Sequence, residues 1–432
     1  MRKDNIYKLT SIILIIFSIF SYFFGFYFDE SSTAAGSRNG DFKLIWNNML
    51  IFLNNDLVSS INHPDYLDSR APTAYILHKI FNPFAGTEIG FRKSVFFIST
   101  FLPVLFYVCI KKRFKDSDDL LLILISSTIL LSPYFRTSAY WGLGENYGII
   151  FLLLTFLSLS HLENENIKYK FKDYIKIANI IFLSCLCFYF DQKLIIIPLI
   201  CFLKIIFSRQ PLKIKTFSIF LYSIMALPYI YLIIVWGSLI PTHAALARKV
   251  GTELFFDQIG YASTIIAFYI LPLLMFKKDN FVASIKNISI RSESYLPILF
   301  FVFYFIYLFF FFNFSDQFLG KGFIHKISYI LFDNYYYRLI FTFISFFISS
   351  LIILFYTNKK PQDFYVIGYF FVLSVFLYPI FQEYFDPLIL ILAFTFFSTK
   401  INLTYKSSIV LYFYLLIFLV CTNIYYLNLV SF

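Results

Sequence analysis

Two neighbouring carboxylates, Asp29 and Glu30, follow directly after the first long apolar run of the chain, residues 9–27. A carboxylate at the end of a membrane helix lies where hydrocarbon gives way to lipid headgroups, which suits chemistry on a lipid-borne substrate. In glycosyl transfer from a lipid phosphate, such a group can remove the proton of the attacking acceptor hydroxyl. Asp29 is therefore our candidate base, and Glu30 could orient it or bind a divalent metal such as Mg²⁺ or Mn²⁺. The alternative is an acidic helix end with no catalytic role.

Two further carboxylates, Glu145 and Glu383, stand beside aromatic residues at the predicted outer ends of apolar runs. A carboxylate without a functional role is less expected at such a position. A leaving phosphate needs cations, and a sugar ring favours aromatic faces. The candidate phosphate contacts are Arg136, Arg248, Lys249, Lys321, Lys326 and Arg338, and the candidate sugar contacts are Tyr140, Trp141, Tyr335, Tyr336 and Tyr384. For any single side chain, a solvated rim charge or a place in the aromatic belt of the membrane interface is the alternative.

Composition predicts a membrane protein. Of the 432 residues, 59% are hydrophobic and 14% are charged, which excludes a soluble domain of this length. The apolar residues fall in runs of roughly 15 to 22, about the length that a helix needs to cross ~30 Å of hydrocarbon, without the alternation of a transmembrane β-barrel. We predict an all-α polytopic protein with one integral membrane domain over 1–432 and about thirteen spans. The predicted spans are 9–27, 94–110, 119–134, 147–161, 177–190, 194–207, 216–236, 261–276, 295–313, 338–356, 364–380, 386–399 and 408–428.

The net charge of +11 reflects topology in this interpretation, and it does not indicate a nucleic-acid partner. Most of the basic residues fall in short loops on the side of the N-terminus, and most of the acidic residues fall on the other side. The positive-inside rule therefore predicts a cytoplasmic N-terminus and an outer first loop. The five cysteines have no spacing that is typical of a zinc site. The first apolar run has no small-residue cleavage site, so we expect it to be retained as a span.

The first outer loop, residues 28–93, is long but patterned. Segments 42–52 and 74–81 each mix apolar and polar residues in a partly amphipathic order. Two helices that lie in the membrane interface would account for both segments. The alternative is that they pack on the top of the helical bundle.

Several of these features together resemble the GT-C superfamily of membrane glycosyltransferases, which use polyprenyl-phosphate sugars. They are a first span that ends in Asp29-Glu30, a long outer loop with two interface helices, an Arg-x-Pro element at Arg70, and a Pro and Glu145 in the loop between spans three and four. The segment 382–387, Gln382-Glu383-Tyr384-Phe385-Asp386-Pro387, is similar to the aromatic-acidic-Pro element of a late outer loop in such enzymes. The resemblance implies Asp29 as the base, with Glu30 and Glu145 assisting it or binding metal, and we add Arg70 and Gln382 to the substrate-binding candidates.

The predicted function is a bacterial inner-membrane glycosyltransferase with its active site on the periplasmic face. The expected donor is an undecaprenyl-(pyro)phosphate-linked sugar, and the expected acceptor is a glycan or glycolipid in lipopolysaccharide, O-antigen or capsule assembly. A repeat-unit polymerase is a close alternative, since such enzymes use arginines in two large outer loops, here 241–258 and 315–338. A polysaccharide flippase or other transporter would place ionisable groups at mid-membrane, whereas the charges here lie at span ends. A non-catalytic assembly scaffold is the remaining alternative.

Overall fold

The computed structural model describes residues 3–31, 40–163, 171–208, 210–241, 253–277, 295–312, 314, 320–357 and 361–426. Every regular element in these ranges is helical, which confirms the predicted all-α class. The predicted phosphate contacts Arg248 and Lys249 lie outside the described residues.

The chain divides into two compact units. The N-terminal unit comprises Leu14–Ala247 and Leu419–Leu427, and the C-terminal unit comprises Met1–Ile13, Arg248–Phe418 and Asn428–Phe432. The α-helices up to residue 236 are α1 (Lys3–Tyr27), α2 (Asp41–Asn54), α3 (Leu57–Ile61), α4 (Thr73–Phe81), α5 (Glu88–Ser99), α6 (Phe101–Arg113), α7 (Asp119–Ser127), α8 (Pro133–Trp141), α9 (Glu145–Glu163), α10 (Phe171–Phe190), α11 (Ile196–Phe207) and α12 (Leu212–Trp236). Short 3₁₀ turns at Thr128–Leu131 and Gln192–Ile195 join α7 to α8 and α10 to α11.

The helices after residue 253 belong to the C-terminal unit, apart from the last turns of α19. They are α13 (Gln258–Ile270), α14 (Tyr295–Phe311), α15 (Gly322–Leu331), α16 (Tyr335–Thr357), α17 (Pro361–Val375), α18 (Leu388–Phe394) and α19 (Tyr405–Tyr426). A 3₁₀ segment at Leu271–Phe276 extends α13, and another at Gln382–Tyr384 precedes α18.

Several helices are long and apolar enough to cross a membrane. In the described part of the chain, seven helices have the length and the apolar composition that a membrane span needs. The number is eight if the bent pair α7 and α8 counts as one span. The seven are Asp4–Tyr27, Glu88–Arg113, Phe171–Phe190, Leu212–Trp236, Gln258–Phe276, Tyr335–Thr357 and Tyr405–Tyr426. Shorter apolar helices occur at Glu145–Ser160, Phe301–Phe310 and Gln362–Val375. The protein is thus a polytopic helical membrane protein.

The outer loop predicted between spans three and four is largely a helix. The Ser132 hydroxyl accepts a hydrogen bond from the Phe135 amide at 3.0 Å and caps α8, Pro133 occupies its first position, and Gly142 ends it with a φ of 75°. The axes of the two halves, 119–131 and 133–141, differ by 65°. The cap, the N-terminal proline and the C-terminal glycine together specify this short helix.

Helices α2 and α4 confirm that both amphipathic segments of the first loop are helical, while their depth in a membrane stays a prediction. Helix α2 buries Phe42, Ile45, Met49 and Phe52, which recur at helical spacing along one face. The Phe52 ring stacks on the Tyr75 ring of α4 with 5.5 Å between centroids. This packing anchors the loop that carries Asp68 and Arg70.

Candidate active site

The turn that ends α1 holds both predicted acidic residues. Asp29 has a φ of 50°, in the left-handed region. The Glu30 amide donates to the Gly25 carbonyl at 2.9 Å, and the Asp29 amide donates to the Phe26 carbonyl at 3.4 Å. This is a Schellman cap, which satisfies carbonyls that a helix end leaves open, and Asp tolerates its left-handed position better than most residues. The local sequence therefore stops α1 and places two acidic side chains on one tight turn.

Glu30 is held in a buried ion pair. Arg136 of α8 donates from Nη1 to Glu30 Oε2 at 2.6 Å, and Asn423 donates from Nδ2 to Oε1 at 3.3 Å. The side chains of Arg136 and Glu30 are 2% and 12% exposed. Arg136 also donates from Nε to the Leu130 carbonyl at 2.6 Å and from Nη2 to the Ser21 hydroxyl. The predicted phosphate contact Arg136 thus directs its donors to the protein interior.

Asp29 is held differently, by Arg92 of α5. Arg92 donates from Nη2 to Asp29 Oδ1 at 2.6 Å and from Nε to the Tyr140 carbonyl at 2.8 Å. The Arg92 side chain is 10% exposed, whereas that of Asp29 is 50% exposed. Asp29 Oδ2 accepts no hydrogen bond from the described residues. The result is a half-exposed carboxylate with one oxygen fixed and one oxygen open.

Arg92 was not among the residues selected from the sequence. It stands just before the predicted span 94–110, within the candidate span Glu88–Arg113 that α5 and α6 form together. A cation at the edge of an apolar run is often a snorkelling side chain, so its charge alone gave no reason to single it out. The usable signal was its position within the apolar face of a helix, beside the buried residues Phe91 and Val95.

Arg70 and Glu145, selected on separate grounds, form a pair. Arg70 donates to Glu145 Oε1 from Nη2 at 2.5 Å and from Nε at 3.1 Å. Arg70 Nη1 also donates to Asp68 Oδ1 at 3.2 Å, while the Tyr75 hydroxyl donates to Asp68 Oδ2 at 2.6 Å. The side chains of Arg70 and Glu145 are 26% and 16% exposed. This network connects the first loop to the start of α9.

A further ion pair, between Lys193 and Asp191, lies in the turn after α10, with 3.3 Å between Lys193 Nζ and Asp191 Oδ2. Burial raises the pKa of Asp191, and the positive charge of Lys193 opposes that rise. A Cβ at Gly148 of α9 would lie 2.9 Å from the Asp191 Cβ, so a glycine permits the close approach. The turn after α10 is therefore packed directly against α9.

The predicted sugar contacts Tyr140 and Trp141 lie in the interior, with 0% and 1% exposure. The Tyr140 hydroxyl donates to the Tyr22 carbonyl at 2.6 Å, and Trp141 Nε1 donates to the Glu30 carbonyl at 3.0 Å. The Trp141 ring carries the Arg92 guanidinium, whose central carbon is 4.1 Å from the ring centroid. Both aromatic residues therefore support the acidic turn, because α8 buries them where a loop would have exposed them.

A small cavity lies beside the Arg70 network. Its lining includes Asp68, Arg70, Tyr75, Gly142 and Gly144. Its volume of about 10 Å³ is enough for one water molecule and too small for a sugar ring. In this conformation the network around Arg70 is thus closely packed.

Eight of the described residues selected from the sequence fall in the C-terminal unit, and two of them, Lys321 and Gln382, lie at one junction there. Lys321 is 1% exposed, its backbone φ is 63°, and its amide donates to the Ile380 carbonyl at 2.6 Å. Gln382 Oε1 accepts from the Phe323 amide at 2.6 Å, and its Nε2 donates to the Tyr269 hydroxyl at 3.2 Å. Lys321 and Gln382 thus fasten the start of α15 to the segment before α18.

The other six are Lys326, Tyr335, Tyr336, Arg338, Glu383 and Tyr384. Arg338 Nη1 donates to the carbonyls of Phe332 and Asp333 at 3.1 and 2.9 Å, so it closes the turn before α16. Burial lowers the pKa of Lys326 to about 8, and the negative charge of Glu383 acts in the opposite direction. The rings of Tyr384 and Phe381 meet edge to face at 5.7 Å.

The acidic residues do not form a metal centre in the described part of the chain, where no three His, Cys, Asp or Glu side chains are grouped to hold an ion. Asp29 and Glu30 are instead directed to separate arginines. A metal role for this pair stays a prediction.

Comparison with known proteins gave no match: no protein-family model, no curated protein and no solved structure matches this chain. The resemblance to the GT-C superfamily therefore stays a prediction from the sequence. What the geometry adds is a chemical difference between two adjacent carboxylates, of which Asp29 alone has an open oxygen among the described contacts.

Proposed function

We propose that this protein is an inner-membrane glycosyltransferase that uses an undecaprenyl-(pyro)phosphate-linked sugar in cell-surface polysaccharide assembly. The observation that carries the proposal is the state of Asp29. It is half-exposed, it follows a helix long enough to span a membrane, and one of its oxygens is held by Arg92 while the other accepts no hydrogen bond from the described residues. A general base needs an accessible oxygen that is held in a fixed direction.

In the proposed reaction, Asp29 Oδ2 accepts the proton of an acceptor hydroxyl as its oxygen attacks the anomeric carbon of the donor sugar. The bond between that carbon and the donor phosphate oxygen breaks, and the phosphate leaves with the electron pair. Cations must stabilise the leaving phosphate.

The remaining predicted acids have supporting parts in this proposal. Glu30 binds Arg136 and holds the acidic turn against α8. Glu145 binds Arg70 and holds the first loop against α9. Neither needs to contact the donor, because both oxygens of each carboxylate accept hydrogen bonds from the protein.

The proposal includes a GT-C-like arrangement of about thirteen spans, a cytoplasmic N-terminus and a periplasmic active site. It is supported by the fact that each predicted apolar run falls at least in part on a helix. The positive-inside distribution of the lysines and arginines supports the orientation. Cysteine labelling of a single cysteine at position 29, in cells with an intact inner membrane, tests it: labelling from the periplasm is expected.

The test of function is complementation of a deletion strain of the source bacterium. Wild-type protein and the Asp65→Asn control, whose side chain is 82% exposed on the same loop, should restore the surface-glycan pattern. Asp29→Asn should fail at equal membrane abundance and leave the lipid-linked donor unconsumed. Full activity of Asp29→Asn would refute the proposal. A deletion strain that caps its lipopolysaccharide with single repeat units would indicate a polymerase, and loss of one decorating sugar would indicate a transferase.

A further inference from the structure

Arg92 is a buried cation that is fixed on several sides. Its Nε binds the Tyr140 carbonyl at 2.8 Å, and its guanidinium lies over the Trp141 ring at 4.1 Å from the centroid. The rings of Phe26 and Phe42 approach the same group, with centroids at 5.3 and 5.6 Å. Cation–π contacts are stronger in a desolvated setting than at an exposed one, so these rings restrain the guanidinium.

The partner of this group, Asp29, has no comparable restraint of its own. Its side chain is 50% exposed, and the described residues provide a hydrogen bond to one of its two oxygens only. The left-handed turn fixes its backbone but leaves χ1 and χ2 of the side chain to other contacts. The direction of the carboxylate is therefore set mainly by the 2.6 Å bond from Arg92 Nη2 to Oδ1.

We infer that Arg92 is the positioning residue of the active site, an inference that rests on the proposed role of Asp29. Arg92 holds Oδ1 and thereby points Oδ2 toward the acceptor hydroxyl. It acts through Asp29 and does not contact the donor. Arginine suits this part better than lysine, because its planar group can bind a carbonyl, an aromatic face and a carboxylate at once.

A positioning residue has a kinetic signature. When the base loses its direction, the transition state is destabilised while donor binding is unchanged, so kcat falls and KM stays constant. Misplacement of a reacting group by about 1 Å costs on the order of 100-fold in rate. We expect Arg92→Gln to lower kcat by about 10- to 100-fold. Arg92→Lys keeps the buried positive charge but lacks the planar group with its several donors. Its kcat should lie between that of Arg92→Gln and that of the wild type.

The experiment uses the full-length protein in nanodiscs and the lipid-linked saccharide extracted from the deletion strain as the donor probe. Consumption of this lipid is followed by mass spectrometry for the wild type, Arg92→Gln, Arg92→Lys, Asp29→Asn and the Asp65→Asn control. Thermal midpoints and size-exclusion profiles report whether each variant is folded. Since Arg92→Lys retains a cation at the site, it supplies a kinetic readout even if Arg92→Gln is unstable.

The outcomes separate the inference from the proposal beneath it. An inactive Asp29→Asn together with Arg92 variants of wild-type kcat overturns the positioning role alone. A raised KM at unchanged kcat also overturns it, because Arg92 would then be a donor contact. A fully active Asp29→Asn overturns the proposed function itself. The inference is supported if both folded Arg92 variants have a lower kcat and an unchanged KM, and if kcat falls less in Arg92→Lys than in Arg92→Gln.

Discussion

Asp29 and Glu30 are adjacent acids on one turn, and each accepts a 2.6 Å hydrogen bond from an arginine. The two ion pairs differ in the exposure of the carboxylate and in how many of its oxygens are bound. The Glu30 carboxylate is 12% exposed and both its oxygens are bound, while the Asp29 carboxylate is 50% exposed with one oxygen bound. The same pairing chemistry thus produces a fold contact at Glu30 and the proposed general base at Asp29. Exposure and the number of filled acceptor positions distinguish the two, not the ion pair itself.

Asp29→Asn should have the largest effect, and chiefly on activity. Removal of a general base costs about 10²- to 10⁴-fold in rate. The thermal midpoint should fall little, since the asparagine oxygen can still accept from Arg92 and asparagine also tolerates the left-handed position that Asp29 occupies. Kinetics and thermal unfolding of the same nanodisc preparation measure both quantities. If Asp29→Asn instead loses as much stability as a variant of the Glu30 pair, Asp29 is a fold contact like Glu30.

Arg136→Gln should cause the largest loss of stability. It leaves the Glu30 carboxylate buried without its cation, which costs about 3 to 5 kcal/mol in a typical protein interior. Arg92→Gln should cost less, because water can reach the half-exposed Asp29. Unfolding in mixed detergent micelles compares the two variants. If both lose the same free energy of unfolding, the distinction between the pairs fails.

Glu145→Gln tests a pair of intermediate exposure. Arg70 loses a charged acceptor at 2.5 Å but keeps Asp68 at 3.2 Å. Hydrogen bonds to charged groups contribute about 1.5 to 3 kcal/mol, so we expect a loss of that size or less in the free energy of unfolding. The same unfolding assay measures it. Retention of kcat in the folded variant is expected, and a loss of rate as large as that of Asp29→Asn would argue for direct participation of Glu145.

Gly25→Ala should give the smallest of these effects, by crowding the Glu30 pair. A Cβ at this position would collide with the Glu30 carboxylate and lie 2.7 Å from the Tyr140 hydroxyl oxygen. Overpacking of this kind costs about 1 to 3 kcal/mol. Gly368→Ala is the matched control, since nothing lies within 4 Å of a Cβ there. A drop in thermal midpoint for Gly25→Ala but not for Gly368→Ala is the expected result.

The sequence by itself determined the helical membrane character, the two helices of the first loop and the acidic end of α1. These features depend on local patterns: apolar run length, amphipathic spacing and a turn that stops a helix. The Ser132-Pro133 start and the Gly142 end of α8 are also local signals, and together they predict that helix.

Only the tertiary structure decided which arginine meets which acid. Arg92 is 63 positions from Asp29, and Arg136 is 106 positions from Glu30. No local pattern relates residues that far apart, because their approach depends on how α1, α5 and α8 pack. The same packing buries Tyr140 and Trp141, which the sequence alone suggested as exposed sugar contacts. Burial and partner choice are properties of the assembled unit, and they are what separate Asp29 from its neighbour.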